Sequence, residues 1–284
     1  MDQRTYRFKI GKIDCLAISD AVSGALDPIE TYEFPASKAE VEEALKEYQL
    51  KPEGIPSDWI CLLLELEGKR ILIDTGNGPG FGPGTGKLLE HLQLAGIQPE
   101  SIFAVLPSHV HYDHIAGMLT ANNEPVFPDA HNYVGRADWE FRQMRTKQEN
   151  LHLNAGLMEY FKAAELYLPH LEKYLELVDD GFEILPGIQV VTAPGHTPGN
   201  MVIHIQSNNE QLMFVGDLFY LPVQVDHPDW YTQYDFNPEI AVESRKKILA
   251  RAATEHILVL PAHSPLPGLG YVLPTERGWR WQRI

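Results

Sequence analysis

The segment Ser108-His109-Val110-His111-Tyr112-Asp113-His114 constrains this chain more than any other. Within six residues it gathers four side chains of the metal-ligating kind: His109, His111, Asp113 and His114. It follows the apolar run Phe103-Ala104-Val105-Leu106, which reads as a buried strand ending at Pro107. Side chains alternate along extended chain, so His109 and His111 point the same way. Asp113 and His114 fall on the turn that follows and face a second point. Such a cluster suits two cations about 3.5–4 Å apart. Left without metal at a helix start, the same residues would crowd three imidazoles and a carboxylate together for no gain.

Three more residues of this kind stand directly after apolar, strand-like runs. His196 lies in the tight loop PGHTPG after QVVTA, Asp217 follows LMFVG, and His263 follows ILVLPA. Taken singly, each is an ordinary polar residue at a strand exit. Together with the first cluster they sit where loops on one edge of a sheet converge.

The rest of the chain reads as alternating strands and helices. Tyr6 to Ser19 gives two short strands around Gly11-Lys12, and residues 20–36 are loop-like. Ser37 with Glu40 has the spacing of a capping box, opening a helix that ends before Pro52. Trp59–Glu65 and Arg70–Ile73 form a hairpin by pattern. A Gly-rich loop over 76–86 opens into the helix KLLEHLQLAG, and 131–134 reads as a strand. Residues 136–176 look mostly helical, and strands follow at Gln189–Thr192, Met201–Gln206 and Gln211–Val215. A helix from Asn237-Pro238 to about Ala253 precedes a last strand, His256–Leu260. No linker divides this pattern. The expectation is one α/β domain over 1–284, two packed sheets with helices outside, and the strands and helix of residues 1–55 packing on it.

Composition narrows the partners. With 44% hydrophobic and 22% charged residues the chain is an ordinary globular one. Lys and Arg number 23 against 39 Asp and Glu, a net charge of −16, which disfavours nucleic acid and anionic membranes. A neutral substrate fits that field better than an anion. Cys15 and Cys61 lie in apolar runs and read as buried thiols. The N-terminus lacks the apolar core of a signal peptide, and no apolar run approaches ~20 residues, so a cytoplasmic protein is expected.

HVHYDH resembles the HxHxDH signature of the metallo-β-lactamase superfamily. The likeness continues in family order through Asp74-Thr75-Gly76, PGHTPG, Gly216-Asp217 and the late His263, spanning about residues 59–268. It implies a four-layer αββα sandwich with the metals at one edge between the sheets. It implies that His109, His111 and His196 hold one ion, that Asp113, His114 and His263 hold another, and that Asp217 bridges them. Two zinc ions are expected, with iron, manganese or cobalt as alternatives. Imidazoles and carboxylates suit zinc without a thiolate. Asp74 resembles the carboxylate that orients a ligating imidazole.

Within the superfamily, the bridging Asp217 disfavours a true β-lactamase. The full ligand set favours a binuclear hydrolase using a metal-bridging hydroxide. HSPLPGLG after the late histidine is similar to the methyl parathion hydrolase subgroup, as is the segment from Asp226-His227-Pro228 through Asp235. Tyr220, three residues after Asp217, resembles instead the N-acyl-homoserine lactonases. Its phenol would donate to a carbonyl oxygen or leaving alkoxide, with Asp113 or Asp217 relaying the proton. The expected substrate is a small, neutral, partly apolar lactone or carboxylic ester. The alternatives are an organophosphate triester or, without hydrolysis, a metal or redox protein on the same fold. Phe81, Tyr112, Phe219, His227, Trp230 and Tyr231 are candidates for the pocket wall. The N-terminal region is a candidate cap or homodimer contact.

Overall fold

The alternation of apolar residues along the strands sets the architecture. In the central strand Ile55–Leu66, Ile60, Leu62 and Leu64 face a core shared by two sheets, whereas Cys61 and Leu63 face helices on the other side. The neighbouring strand repeats this, with Cys15 and Ala17 inward and Leu16 and Ile18 outward. In the second sheet Ile203, Ile205, Leu212 and Phe214 face the shared core, and Val202, Met213 and Val215 face outward. Fully burying one such side chain is worth ~1.5–3 kcal/mol. A slip of one residue would turn every one of them to the wrong side.

The computed structural model describes residues 4–52, 54–79, 82, 84–141 and 155–284. Among these, the first sheet holds β1 (Thr5–Ile10), β2 (Ile13–Leu26), β3 (Ile55–Leu66), β4 (Lys69–Ile73), β5 (Ile102–Leu106), β6 (His131–Gly135) and β7 (Leu175–Val178), in sequence order. The second holds β8 (Glu183–Leu185), β9 (Ile188–Thr192), β10 (Met201–Ser207), β11 (Glu210–Gly216), β12 (Leu258–Pro261), β13 (Gly270–Thr275) and β14 (Gly278–Arg283), likewise in order. Leu88 and Leu92 of helix Leu88–Leu94 cover the outside of the first sheet, with Tyr160 and Phe161 of helix Ala155–Leu166. Ile248, Leu249 and Ala252 of helix Pro238–Glu255 cover the second. This is the four-layer αββα order that the resemblance implied.

Strand direction then fixes where the site lies. β4 runs parallel to β5, and β11 parallel to β12. β9 and β11 both pair antiparallel with β10, so they too run the same way. The residues that follow β4, β5, β9, β11 and β12 therefore emerge together. Backbone bonds knit the two sheets there: Ile60 donates to the Ala262 carbonyl at 2.8 Å and Met201 to the Ser108 carbonyl at 2.8 Å.

Three expectations need correction. Residues 20–36 are not simply loop: β2 continues to Leu26 along β3, and Asp27 caps a short helix, Pro28–Tyr32. The long partner strand supplies hydrogen bonds that override the poor strand propensity of Gly24. The last strand is not His256–Leu260. His256 ends the helix in the left-handed conformation, the strand is Leu258–Pro261, and the tail adds the hairpin β13–β14. Alternation buries Val272 and Trp281 against the outer core, which draws that hairpin onto the sheet. The stretch 136–176 includes the start of a strand, Leu175–Val178, and its part 142–154 lies outside the described residues. The capping box is formed: Ser37 N–H donates to Glu40 Oε2 at 2.8 Å, and Glu40 N–H to Ser37 Oγ at 3.3 Å.

Gly117 permits a close approach beneath the site. A Cβ there would lie 1.9 Å from the Thr75 carbonyl oxygen, and Thr75 itself binds the His114 carbonyl through N–H and Oγ1. Gly117→Ala is expected to cost about 1–3 kcal/mol through overpacking, more than Ser37→Ala, which loses a cap worth about 1 kcal/mol. Urea unfolding of the two variants compares them. Equal midpoints for Gly117→Ala and the unaltered chain would refute the tight contact.

Candidate metal centre

Each strand exit aims its residue by local means. Asp74 leaves β4 in the left-handed conformation at φ 60°, and its carboxylate accepts from Ser108 Oγ at 3.0 Å and reaches His114 Nδ1 at 2.7 Å. His111 stands in extended backbone just before the short helix Tyr112–Ile115, which puts Asp113 and His114 on the helix's first turn. β11 shifts register against β12 between Phe214 and Gly216, re-aiming the chain just before Asp217. A side chain at Gly216 would meet Ser108 Oγ at 2.8 Å, so glycine lets the Asp217 loop close on the His109 loop.

The structure brings all seven predicted side chains together. His109 Nε2 and His196 Nε2 each lie 3.0 Å from His111 Nδ1. Asp217 Oδ1 lies 3.3 Å from His114 Nε2 and 3.1 Å from His263 Nε2, and its Oδ2 lies 3.5 Å from His196 Nε2. Asp113 stands 3.6 Å from His114 Nε2 and 3.3 Å from His263 Nε2. Three groups form with their donor atoms within 4.8 Å: His109/His111/His196, His109/His114/Asp217 and Asp113/His114/His263.

The outward nitrogens are held in turn. His111 Nε2 donates to the Gly156 carbonyl at 3.0 Å, His196 Nδ1 to Asp235 Oδ1 at 3.0 Å, and His114 Nδ1 to Asp74. For His111 and His196 the bond fixes the tautomer and leaves the lone pair of the other nitrogen facing inward. His114 Nε2 and Asp217 Oδ1 are buried with no hydrogen-bond partner. Buried polar atoms without partners are costly, and an electropositive ion is what this donor set lacks. The residues therefore fit divalent cations of the zinc type.

Charge divides the histidines into two kinds. Burial, with His114, His111 and His196 close by, pushes His109 well below the usual imidazole range. Burial and His196 bring His111 down to about 3. Burial also pulls on His114, but Asp74, Asp217 and Asp113 outweigh it and hold that imidazole well above its usual value. His263 is raised in the same way, chiefly by Asp217. Asp217 itself is held well below the carboxylate range, the charges of His263 and His114 overcoming its burial.

Four of the seven, His111, Asp113, Asp217 and His263, line a cavity of about 250 Å³, whose walls include Tyr32, Trp59, Tyr112, Tyr220 and Tyr234. Tyr220 stacks on His263 with centroids 5.3 Å apart and on Tyr32 at 4.7 Å. Other predicted wall residues lie elsewhere. Phe219 points into the outer core against Trp281, because its segment runs along that core. His227 is exposed and stacks on half-buried Trp230 at 4.2 Å, and Trp230 in turn stacks on Phe34 at 5.6 Å against the cluster built by the N-terminal helices. Tyr231 is exposed, and Phe81 lies outside the described residues.

Sequence reasoning missed several residues. Trp59 Nε1 donates to Asp113 Oδ2 at 2.7 Å. Buried Asp138 accepts from Val110 N–H at 3.0 Å, Thr197 Oγ1 at 2.9 Å and Gly199 N–H at 2.6 Å, clamping the two histidine loops to each other. Asp235 orients His196. No local spacing marks any of the three.

The family model described as the metallo-β-lactamase superfamily matches residues 61–263. The chain belongs to the metallo-β-lactamase superfamily. It is a metal-dependent hydrolase, as its relatives in that superfamily are. An N-acyl homoserine lactonase from Bacillus sp is 26% identical over 238 residues, 77% of this chain and 82% of the relative. AidC, described as a dizinc quorum-quenching lactonase in complex with a product, is 29% identical, with a TM-score of 0.87 over 99% of this chain and 97% of that one. AbOPH, described as a hydrolase in the β-lactamase superfamily, is 25% identical, with a TM-score of 0.88 over 100% and 98%. Among the described residues no helix is long and apolar enough to cross a membrane.

Metal uptake near pH 7 is expected to release protons, since His114 and His263 are both raised in the metal-free protein. Surrounding carboxylates favour the protonated forms of these two imidazoles, whereas burial and neighbouring imidazoles favour the neutral forms of His109 and His111. Calorimetry in buffers of different ionisation enthalpy counts the release. A count near zero would show that His114 and His263 are neutral before metal arrives.

Proposed function

We propose that this superfamily member opens a neutral lactone or a related carboxylic ester, with N-acyl homoserine lactones as the first class to test. The observation that carries the reading is the place of Tyr220. Its phenol is buried in the cavity wall beside Asp217, and burial with the Asp217 charge holds it well above the usual tyrosine range. It therefore stays a hydrogen-bond donor at any pH where an ester hydrolase works. The lactonases among the relatives support the same choice.

In this reading His109, His111 and His196 hold one zinc ion, Asp113, His114 and His263 hold a second, and Asp217 lies between them. Bound zinc supplies water activated near neutral pH and Lewis acidity toward a carbonyl oxygen. The chain does the rest. Tyr220 donates its O–H to the carbonyl oxygen as negative charge gathers there. The Trp59 indole fixes Asp113 through Oδ2. Asp113 Oδ1 would accept the proton of the attacking water as its oxygen joins the carbonyl carbon, and would pass it to the leaving oxygen as the acyl C–O bond breaks. Tyr32, Trp59, Tyr112 and Tyr234 shed water from the apolar part of the substrate. The acidic surface does not retain the anionic product.

A panel of acyl-homoserine lactones, simple lactones, aryl esters and a phosphotriester tests this with zinc-loaded protein and Asp217→Ala as the blank. The expected result is kcat/KM above ~10⁴ M⁻¹s⁻¹ on a lactone, and a fall of about 10²-fold in kcat for Tyr220→Phe, the loss of one oxyanion donor. High turnover confined to the phosphotriester would replace the reading. Unchanged lactone rates in Tyr220→Phe would remove Tyr220 from it.

A further inference from the structure

Arg245 is 1% exposed, a whole guanidinium inside the protein. It lies on the inner face of helix Pro238–Glu255, in register with Ile248, Leu249 and Ala252. A well-packed apolar side chain of that volume would serve stability as well or better. The arrangement of its donors shows what an apolar residue would not supply.

Nε donates to the Leu218 carbonyl at 2.6 Å, one residue past Asp217. Nη1 donates to the Pro228 and Trp230 carbonyls, each at 2.9 Å. Nη2 faces Asp235 Oδ2 at 3.6 Å. Beyond these first partners the network reaches the cavity at two places. The other oxygen of Asp235 takes His196 Nδ1 at 3.0 Å. The Trp230 carbonyl also accepts Gln224 Nε2 at 2.9 Å, and Gln224 Oε1 accepts the Tyr220 N–H at 2.8 Å. One planar fork thus touches both the carboxylate that aims a histidine and the turn that carries the tyrosine.

We propose that Arg245 is a positioning residue that locks His196, through Asp235, and Tyr220, through the Leu218 and Trp230 carbonyls, into one orientation at the reactive centre. The inference rests on the reading that His196 holds metal and that Tyr220 meets substrate. The guanidinium stands 3.6 Å from Asp235 Oδ2 while Oδ1 takes His196 Nδ1, and the fixed fork keeps the Asp217–Tyr220 turn at one distance from that pair. A lysine ammonium can pair with Asp235 or hold the carbonyls, but its single point of charge cannot span all four.

The test compares the full chain with Arg245→Lys and with the double variant Arg245→Met/Asp235→Asn, in which no charge is left buried alone. Zinc affinity is measured by chelator competition, melting temperature on metal-free protein, and kcat and KM on whichever substrate of the panel the unaltered enzyme turns over. Both variants are expected to bind zinc about 10–100-fold more weakly. They are also expected to lose tenfold or more in kcat, with KM changed less than about threefold. A variant that melts lower yet keeps the original zinc affinity and kcat would overturn the inference and leave Arg245 a packing residue. If the double variant does not fold, Arg245→Lys alone decides by the same two readouts. The unaltered protein is measured first. Failure of that protein to take up zinc would sink the metal reading itself, an outcome distinct from equal affinities in protein and variants.

Discussion

Buried charge is the condition on which the rest of this structure depends. Asp217, Asp113, His114 and His263 lie within hydrogen-bond or ion-pair reach of one another in a region almost shut off from water. Removing charges from water costs several kcal/mol each unless they are paired or hydrogen-bonded. The carboxylates and the two raised imidazoles balance in part. The inward nitrogens of His109, His111 and His196 crowd against one another, and that is the deficit a cation would relieve. The surrounding carboxylates Asp74, Asp138 and Asp235 then act as the frame, each holding a histidine or its loop.

The frame explains why the sheets meet as they do. Two sheets that shared only an apolar core could slide over each other with modest loss. Here the Ile60 and Met201 amides bond across the sheets directly behind the site, and Asp138 ties the loop after β5 to the loop after β9. The geometry of the reactive groups is therefore set by backbone as much as by side chains.

Much of this was legible in the sequence, for physical reasons. The period of two along His109-Val110-His111 and its position after a buried strand gave away His109 and His111. His196, Asp217 and His263 were legible because each stands immediately after an apolar run, and parallel strands deliver their ends to one edge. The apolar run from Trp59 to Glu65 marked a strand, and the structure buries it on both sides. The cavity wall was harder. Phe219 and Trp230 read as wall residues from their nearness to Asp217, yet each packs inward, because which face of an irregular segment meets the cavity depends on tertiary contacts. Arg245 lies in the run ESRKKIL, which reads as a solvated charged face. Only its spacing of three, four and seven from Ile248, Leu249 and Ala252 hinted that it belongs inside. Asp138 and Asp235 had no such signal.

The strictly sequential strand order has a consequence for how the molecule is assembled. β1 to β7 make one sheet and β8 to β14 the other, and the chain crosses between them once, over residues 179–182. His109, His111, Asp113 and His114 belong to the first half, and His196, Asp217 and His263 to the second. An ion shared by the two sets would be a further staple between halves whose backbone crosses once and which share a core and the bonds behind the site. It restricts their mutual freedom as a disulfide would, in a chain whose two cysteines are buried and unpaired. Chelation should then act on the seam before it acts on either sheet, so that the halves part along the reactive edge while each keeps its own strands.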